Sequence, residues 1–326
     1  MANEIAPLPV ETLPGSNENG AAFLLRCAQR NGMSLKAMLN WVGTSSLQSL
    51  SPAAMPALAL ATQASQSWLL ACLPMWRSRE RARCLVWHGQ SWSMPLALRG
   101  AHSQVCPVCL RDGLPCQVEW EMTGAFGCLK HRCTLIDRCP QCSKPLLWTR
   151  PAVEVCCCGG YLTSGEPPPV LANEAIEWIE GLGLLLSAPD APPSGYRFRP
   201  AWLGFLSPDG AFCVVHAAGA RSRPEASVSP ACEKVRVAPA EMAEVIARGL
   251  RRLRDAGSVD EPCSAELRAT VYEQGIERLS RRGETDADRD VAHELLAWIR
   301  DVPRHGLSLT GRRPLGQLNL FERAVT

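Results

Sequence analysis

The chain has almost no net charge: 34 Lys and Arg against 32 Asp and Glu leave +2 over 326 residues. That balance removes any global electrostatic argument for nucleic acid, so DNA contacts would have to come from local basic stretches. Long hydrophobic runs are missing too. The most apolar stretches, 53–61 and 68–76, are broken by Pro56 and Pro74 and are too short to span a bilayer. Residues 1–20 hold no basic residue and no apolar core, so they do not resemble an export signal. A cytoplasmic protein without membrane contact is expected, long enough for two domains. There is no internal repeat apart from one built on cysteine.

Sixteen cysteines are present, and ten of them fall between residues 106 and 158. In a reducing compartment such a cluster suggests metal ligands rather than a disulfide framework. The scattered ones, such as Cys27, Cys72 and Cys84, are expected to serve as small core residues.

Before the cysteine block the pattern is helical. Phe23, Leu24 and Cys27 share helical spacing and Asn31-Gly32 is a stop signal. Ser34 is a suitable N-cap for a second helix with Leu35, Met38, Leu39 and Val42, ended by Gly43. The two form a helix-turn-helix-like pair. Residues 51–76 read as helical segments interrupted by prolines. Arg77-Ser78-Arg79-Glu80-Arg81-Ala82-Arg83 is the sharpest basic run, either a solvated face or a phosphate-contacting patch. After the block, Gly165 to Pro169 reads as a linker. Helices are expected over 171–186, 240–255, 265–281 and 288–301, an irregular stretch over 196–215, and a tail from Leu307 to Thr326 suited to docking on a partner.

Within the block, Cys106-Pro107-Val108-Cys109 is followed after eighteen residues by Cys128-Leu129-Lys130-His131. A Cys-x-x-Cys knuckle sets two thiolates on one tight turn, and a second knuckle completes a tetrahedron around zinc. Seven residues further on, Cys139-Pro140-Gln141-Cys142 opens a second unit that must be closed from Cys156-Cys157-Cys158. Cys158, before Gly159-Gly160, is the better placed. Its companion is Cys156 or Cys157, with Cys156 preferred because Cys157 points away in an extended segment. Two structural Zn2+ ions are expected; Cys116 and Cys133 are left over and could substitute as ligands, but free thiols are preferred because the knuckle geometry is satisfied without them. Trp120 reads as a packing residue. Lone histidines (His88, His102, His216, His293, His305) have no knuckle partner, although His102 lies close enough to Cys106 to be a spare ligand.

The run Cys106-Pro107-Val108-Cys109-Leu110, Trp120, Cys128-Leu129-Lys130-His131, Leu135-Ile136-Asp137-Arg138-Cys139-Pro140-Gln141-Cys142 and Pro145-Leu146 resembles the TniQ family. That family's pattern is CPxCL, a central Trp, CxxH, LxDxCPxC and Pro-Leu. Phe23 to Gly32 is similar to the family's opening S-W-L-x-R-x-A-x-x-N-G, with Ala22-Phe23 in place of Ser-Trp. The likeness spans roughly residues 5–162, and the last knuckle departs from it as Cys-Cys-Cys. The resemblance implies a bacterial, nucleoid-associated transposon target-selection protein that recruits an AAA+ ATPase regulator of the TnsC or TniB kind. It also implies target DNA as a partner, tethering to a CRISPR RNA-guided Cascade complex in shorter members, and a homodimer in some.

Two readings follow for function. The first is a non-catalytic adaptor between a target-recognition complex, or target DNA, and the ATPase. Its candidate DNA contacts are Lys36, Asn40, Arg77, Arg79, Arg81 and Arg83. The second is an autonomous sequence-specific binder of the TnsD type, for which 34–42 offers only Lys36 and Asn40 as base-reading side chains, with Arg248, Arg251, Arg252 and Arg254 in reserve. An enzyme is not expected: the ligand sets are full without water, and Glu119 and Glu121 lack an H-x-E or H-E-x-x-H context. The expected fold is mainly α, with an N-terminal helix-turn-helix-like region (1–100), tandem zinc-ribbon or knuckle units (101–164) and a helical C-terminal domain (165–326).

Overall fold

The computed structural model describes residues 5–79, 82–93, 95–187, 198, 200–220, 237–255 and 271–300. Arg81, His305 and the tail from Leu307 lie outside the described residues. The protein is mainly helical and divides into two compact units, Met1–Glu180 with Glu233–Met242 and Gly181–Cys232 with Ala243–Thr326. No described helix is long and apolar enough to cross a membrane.

The first unit opens with α1 (Gly20–Arg30) and α2 (Leu35–Trp41). Asn19 caps α1 by accepting from the amides of Ala21 and Ala22, and Ser34 caps α2 by accepting from Ala37 at 3.1 Å. Between them Gly32 takes φ +66, a left-handed geometry that the absence of a Cβ makes inexpensive. Phe23, Leu24, Leu35, Met38 and Leu39 are buried, so the helix-turn-helix-like pair turns its apolar stripes inward. The next helices, α3 (Met55–Thr62) and α4 (Gln66–Cys72), follow the expected proline-broken pattern.

Beyond Pro74 the chain is not helical. An antiparallel sheet of β1 (Met75–Arg79), β2 (Ala82–Trp87) and β3 (Gln90–Trp92) follows in the order β1-β2-β3. The described residues of the basic run therefore lie on paired strands, with Arg77 opposite Cys84, Ser78 opposite Arg83 and Arg79 opposite Ala82. The turn from β2 to β3 uses His88 and Gly89, both at positive φ (50 and 74), the combination a two-residue hairpin requires. Trp87 is buried behind the sheet and donates its indole N–H to the Cys72 carbonyl.

The cysteine block adds α5 (Pro107–Arg111) and a two-stranded ribbon of β4 (Gly127–Cys128) and β5 (Cys133–Thr134). It has no core of its own. Cys106, Cys109, Cys128, Cys139 and Cys156 belong to the same buried cluster as Phe23, Leu24 and Met38. The stretch read as a linker is pinned at its end: the Thr134 amide donates to Pro169, Val170 bridges Cys133, and the Leu171 amide donates to Arg132. The start of α6 (Asn173–Ser187) then covers the ribbon, with the Trp178 indole on the Gly124 carbonyl at 3.0 Å and Leu171 filling the space where Gly127 has no Cβ.

In the second unit, α7 (Pro208–Gly219) occupies part of the stretch expected to be irregular. The Pro and Gly there mark a helix start, because Pro208 stands at the first helical position and Ser207 caps it by accepting from Gly210. Every residue of α7 is buried. The helices α8 (Pro239–Asp255), α9 (Glu273–Arg282) and α10 (Asp286–Ile299) complete the described part. Where α7 and α8 cross, a Cβ on Gly219 would lie 1.9 Å from the Val245 carbonyl oxygen, and one on Gly249 would lie 2.1 Å from that of Val215. Arg248 and Arg252 donate to the carbonyls of Gly219 and Ala218, so two of the arginines held in reserve for base reading cap a helix instead.

Candidate metal centres

The first centre is built on α5. Cys106 is the helix N-cap, its Sγ accepting from the Cys109 amide at 3.4 Å, and Pro107 takes the first helical position, where a missing N–H costs nothing. The CPxC spacing is thus a capped single turn that brings both sulfurs to one side. The opposite knuckle sits at the end of the β4–β5 ribbon, where the His131 amide donates to Cys128 Sγ and Arg132 turns the chain at φ 50.

These two pieces bring Cys106, Cys109, Cys128 and His131 together, with one donor atom from each lying within 4.8 Å of all the others. His131 Nδ1 stands 3.6, 3.2 and 3.7 Å from the sulfurs of Cys106, Cys109 and Cys128. Its Nε2 faces Asp112 Oδ2 at 3.0 Å. A carboxylate behind the distal ring nitrogen fixes the tautomer that leaves Nδ1 as an acceptor towards the sulfurs. Spacing rules could not find Asp112, because it is close to His131 only through the fold.

The second centre gathers Cys139, Cys142, Cys156 and Cys158 in the same way. Cys139 lies 3.7 Å from Cys158, and Cys142 lies 3.8 Å from Cys156. Cys157 is exposed and stands outside the group. Ser143 (φ 57) and Gly159 (φ 86) turn the chain after each knuckle, with the Ser143 amide donating to Cys139 and that of Gly159 to Cys156. Between the knuckles, Arg150 is buried under Trp148 and donates to the carbonyls of Leu147, Ala152 and Val153 and to Ser103. This guanidinium closes the loop that joins the two halves of the second centre.

The chemistry of both donor sets fits a soft divalent cation. Crowded thiols cannot ionise alike unaided. Hydrogen bonds from the Cys109, Cys128 and Cys133 thiols hold Cys106 far below the usual thiol range, while Cys109, hydrogen-bonded to Cys106 and Cys128 and buried as well, is driven far above it. Burial acts to raise Cys139, but the amides of Cys142 and Gln141 and the thiols of Cys156 and Cys158 outweigh it and bring Cys139 to about 7. One divalent ion per group removes the conflict by accepting every sulfur as thiolate. Outside the groups, burial pushes Cys27, Cys72 and Cys116 up to about 12, as expected of inert core thiols. Trp120, on the loop that joins the first centre's two knuckles, is buried.

The first centre is tied directly to the helix pair. The loop between its knuckles receives the Asn19 amide on the Cys116 carbonyl and donates the Val118 amide to Asn17. Glu121, buried in that loop, accepts from Asn19 Nδ2 and from the Gly100 amide. Gln104 points its amide NH2 at the carbonyls of Trp120, Met122 and Ala125. The other candidate residues lie apart from the centres. Lys36 and Asn40 are exposed on α2, Arg77 is exposed on β1, and Arg79 and Arg83 occupy strand positions on β1 and β2.

Residues 7–135 match the TniQ family. The matched stretch takes in the helix pair, the sheet and all four donors of the first centre, and it ends before the second. No curated protein matches the chain. The chain therefore carries, over residues 7–135, a region similar to the TniQ domain, which is associated with the selection of transposition targets.

Proposed function

We propose that this protein is a non-catalytic adaptor of transposition, held in shape by two structural zinc ions, that links a target-recognition complex or target DNA to the transposon's AAA+ ATPase regulator. The observation that carries the reading is the assembly of both donor groups on the core that also holds the helix pair, with Cys106, Cys109, Cys128, Cys139 and Cys156 buried in it. Cys106, Cys109, Cys128 and His131 would hold one ion, and Cys139, Cys142, Cys156 and Cys158 the other. Zinc bound in this way supplies folding energy rather than a reactive water. With four protein donors in each group, no position is left for a substrate, which supports an adaptor over a hydrolase.

DNA contact in this reading is made by Lys36, Asn40 and the arginine-rich hairpin, which would add affinity without base specificity. A short reading helix and two arginines engaged on α7 favour the adaptor over the autonomous TnsD-type binder. The test is a pull-down from cells carrying the native locus, together with metal analysis. Two zinc ions per chain and recovery of the ATPase regulator, with or without a guide-RNA complex, support the proposal. Tight binding of the purified chain alone to one genomic site would replace it with the autonomous reading.

A further inference from the structure

We propose that Cys133 is a reserve sulfur ligand of the first centre, placed to take the fourth coordination position when His131 leaves it. The inference rests on the reading of that centre as a metal site. Cys133 opens β5 directly opposite Cys128, a donor on β4. Residues paired across an antiparallel ribbon send their side chains to the same face, so the ribbon that delivers Cys128 delivers Cys133 to the same side. Its Sγ lies 3.7 Å from that of Cys106. Two thiolates bound tetrahedrally at about 2.3 Å to one zinc stand about 3.8 Å apart. Cys133 is thus one tetrahedral edge from a donor, a spacing close to the 3.6 Å between the Cys109 and Cys128 sulfurs. It stands outside the four-donor group on the Cys106 side, so it complements the group without competing in it.

The two candidates for the fourth position are held differently. His131 sits on the turn between the strands, its side chain 17% exposed and braced by Asp112, which is itself 44% exposed. Cys133 is 5% exposed and its backbone is paired on both sides, to Cys128 and to Val170. Zinc accepts three sulfurs with one imidazole or four sulfurs equally well. In the exchange the imidazole departs, Cys133 enters as thiolate, and its proton passes to solvent. Cys116, also buried, belongs to neither group.

Cobalt(II) reconstitution of the full-length chain tests this, because ligand-field bands move to longer wavelength as sulfur replaces nitrogen. His131→Ala is expected to keep two metal ions per chain with bands shifted to longer wavelength. His131→Ala/Cys133→Ser should keep one, and Cys133→Ser alone should keep two with bands unchanged. Loss of one ion from His131→Ala, or bands in that variant that do not respond to adding Cys133→Ser, would overturn the inference. Fewer than two ions in the unaltered chain would instead overturn the metal reading beneath it. If His131→Ala does not fold, Asp112→Ala frees the imidazole more gently. A chelator should then strip the first ion from Asp112→Ala/Cys133→Ser at least tenfold more readily than from Asp112→Ala, and equal sensitivity would count against the reserve role.

Discussion

A single carboxylate shows how much the first centre depends on residues behind its donors. Asp112 touches no sulfur, yet it sets which nitrogen of His131 faces them. Removing such a partner typically lowers metal affinity about 10–100-fold. Asp112→Asn is therefore expected to weaken binding of one ion of the two by at least about tenfold, measured by competition with a chromophoric chelator. Cys139→Ser should act more severely, leaving one ion per chain and an unfolded second knuckle, because a structural ion's binding energy is folding energy. A Cys139→Ser chain that keeps both ions would contradict the four-sulfur assignment. At this scale the grouping of these Cys and His side chains was legible, since residues three apart announce themselves in sequence. Asp112, Gln104 and Arg150 were not, because each acts on residues that only the fold brings near.

His216 contributes a pH dependence to the stability of the second unit. It is buried among rings, beside Phe212 and Tyr272, and burial lowers its imidazole to about 4 against an ordinary value of 6.5. The folded state therefore holds His216 neutral while the unfolded chain takes up a proton between pH 6.5 and 4. Its contribution to stability is complete above that window and is lost as the pH falls through it, by up to about 3 kcal/mol. His216→Phe should flatten this slope in urea titrations followed between pH 7 and 4.

Helices and strands were legible according to how local their signals are. The stop and cap residues Asn31-Gly32 and Ser34 fixed α1 and α2, since a cap is written in adjacent residues. The sheet was missed because an Arg-x-Arg-x run carries no apolar alternation, although the His88-Gly89 turn was a readable sign. α7 was missed because Pro and Gly suggested irregular chain, whereas Pro208 begins the helix and Gly210 sits against Asp288. The crossing of α7 and α8 gives a prediction whose sign needs magnitudes. Ala is favoured over Gly within a helix by about 1 kcal/mol. At Gly249 the added carbon meets backbone at 2.1 Å, and overpacking of this kind typically costs about 1–3 kcal/mol. Gly249→Ala should therefore destabilise the second unit, seen as a lowered urea midpoint. A raised midpoint would mean that the two helices can part without cost.

For the molecule as a whole, the cysteine block behaves as part of the N-terminal core, because its sulfurs pack with Phe23, Leu24 and Met38. Chelation should consequently raise hydrogen exchange in α1 and α2, which hold no ligand, while amides of α9 and α10 keep their protection. Protected α1 amides in metal-free protein would show that the helices stand without the ions. The mostly helical character of the second unit was visible in its periodicity, but the sequence held no motif there to give it a role.

The shared core also bears on the order in which the chain is made. The helix pair is complete by Trp41, but the residues that close its core continue to Leu162, past Cys158, the last member of the two cysteine groups. During synthesis the two helices must wait for more than a hundred further residues before they have a finished surface to rest on. An interrupted nascent chain would present those apolar faces bare, and if the donor groups hold metal as proposed, metal supply becomes a checkpoint on whether the first unit is finished at all.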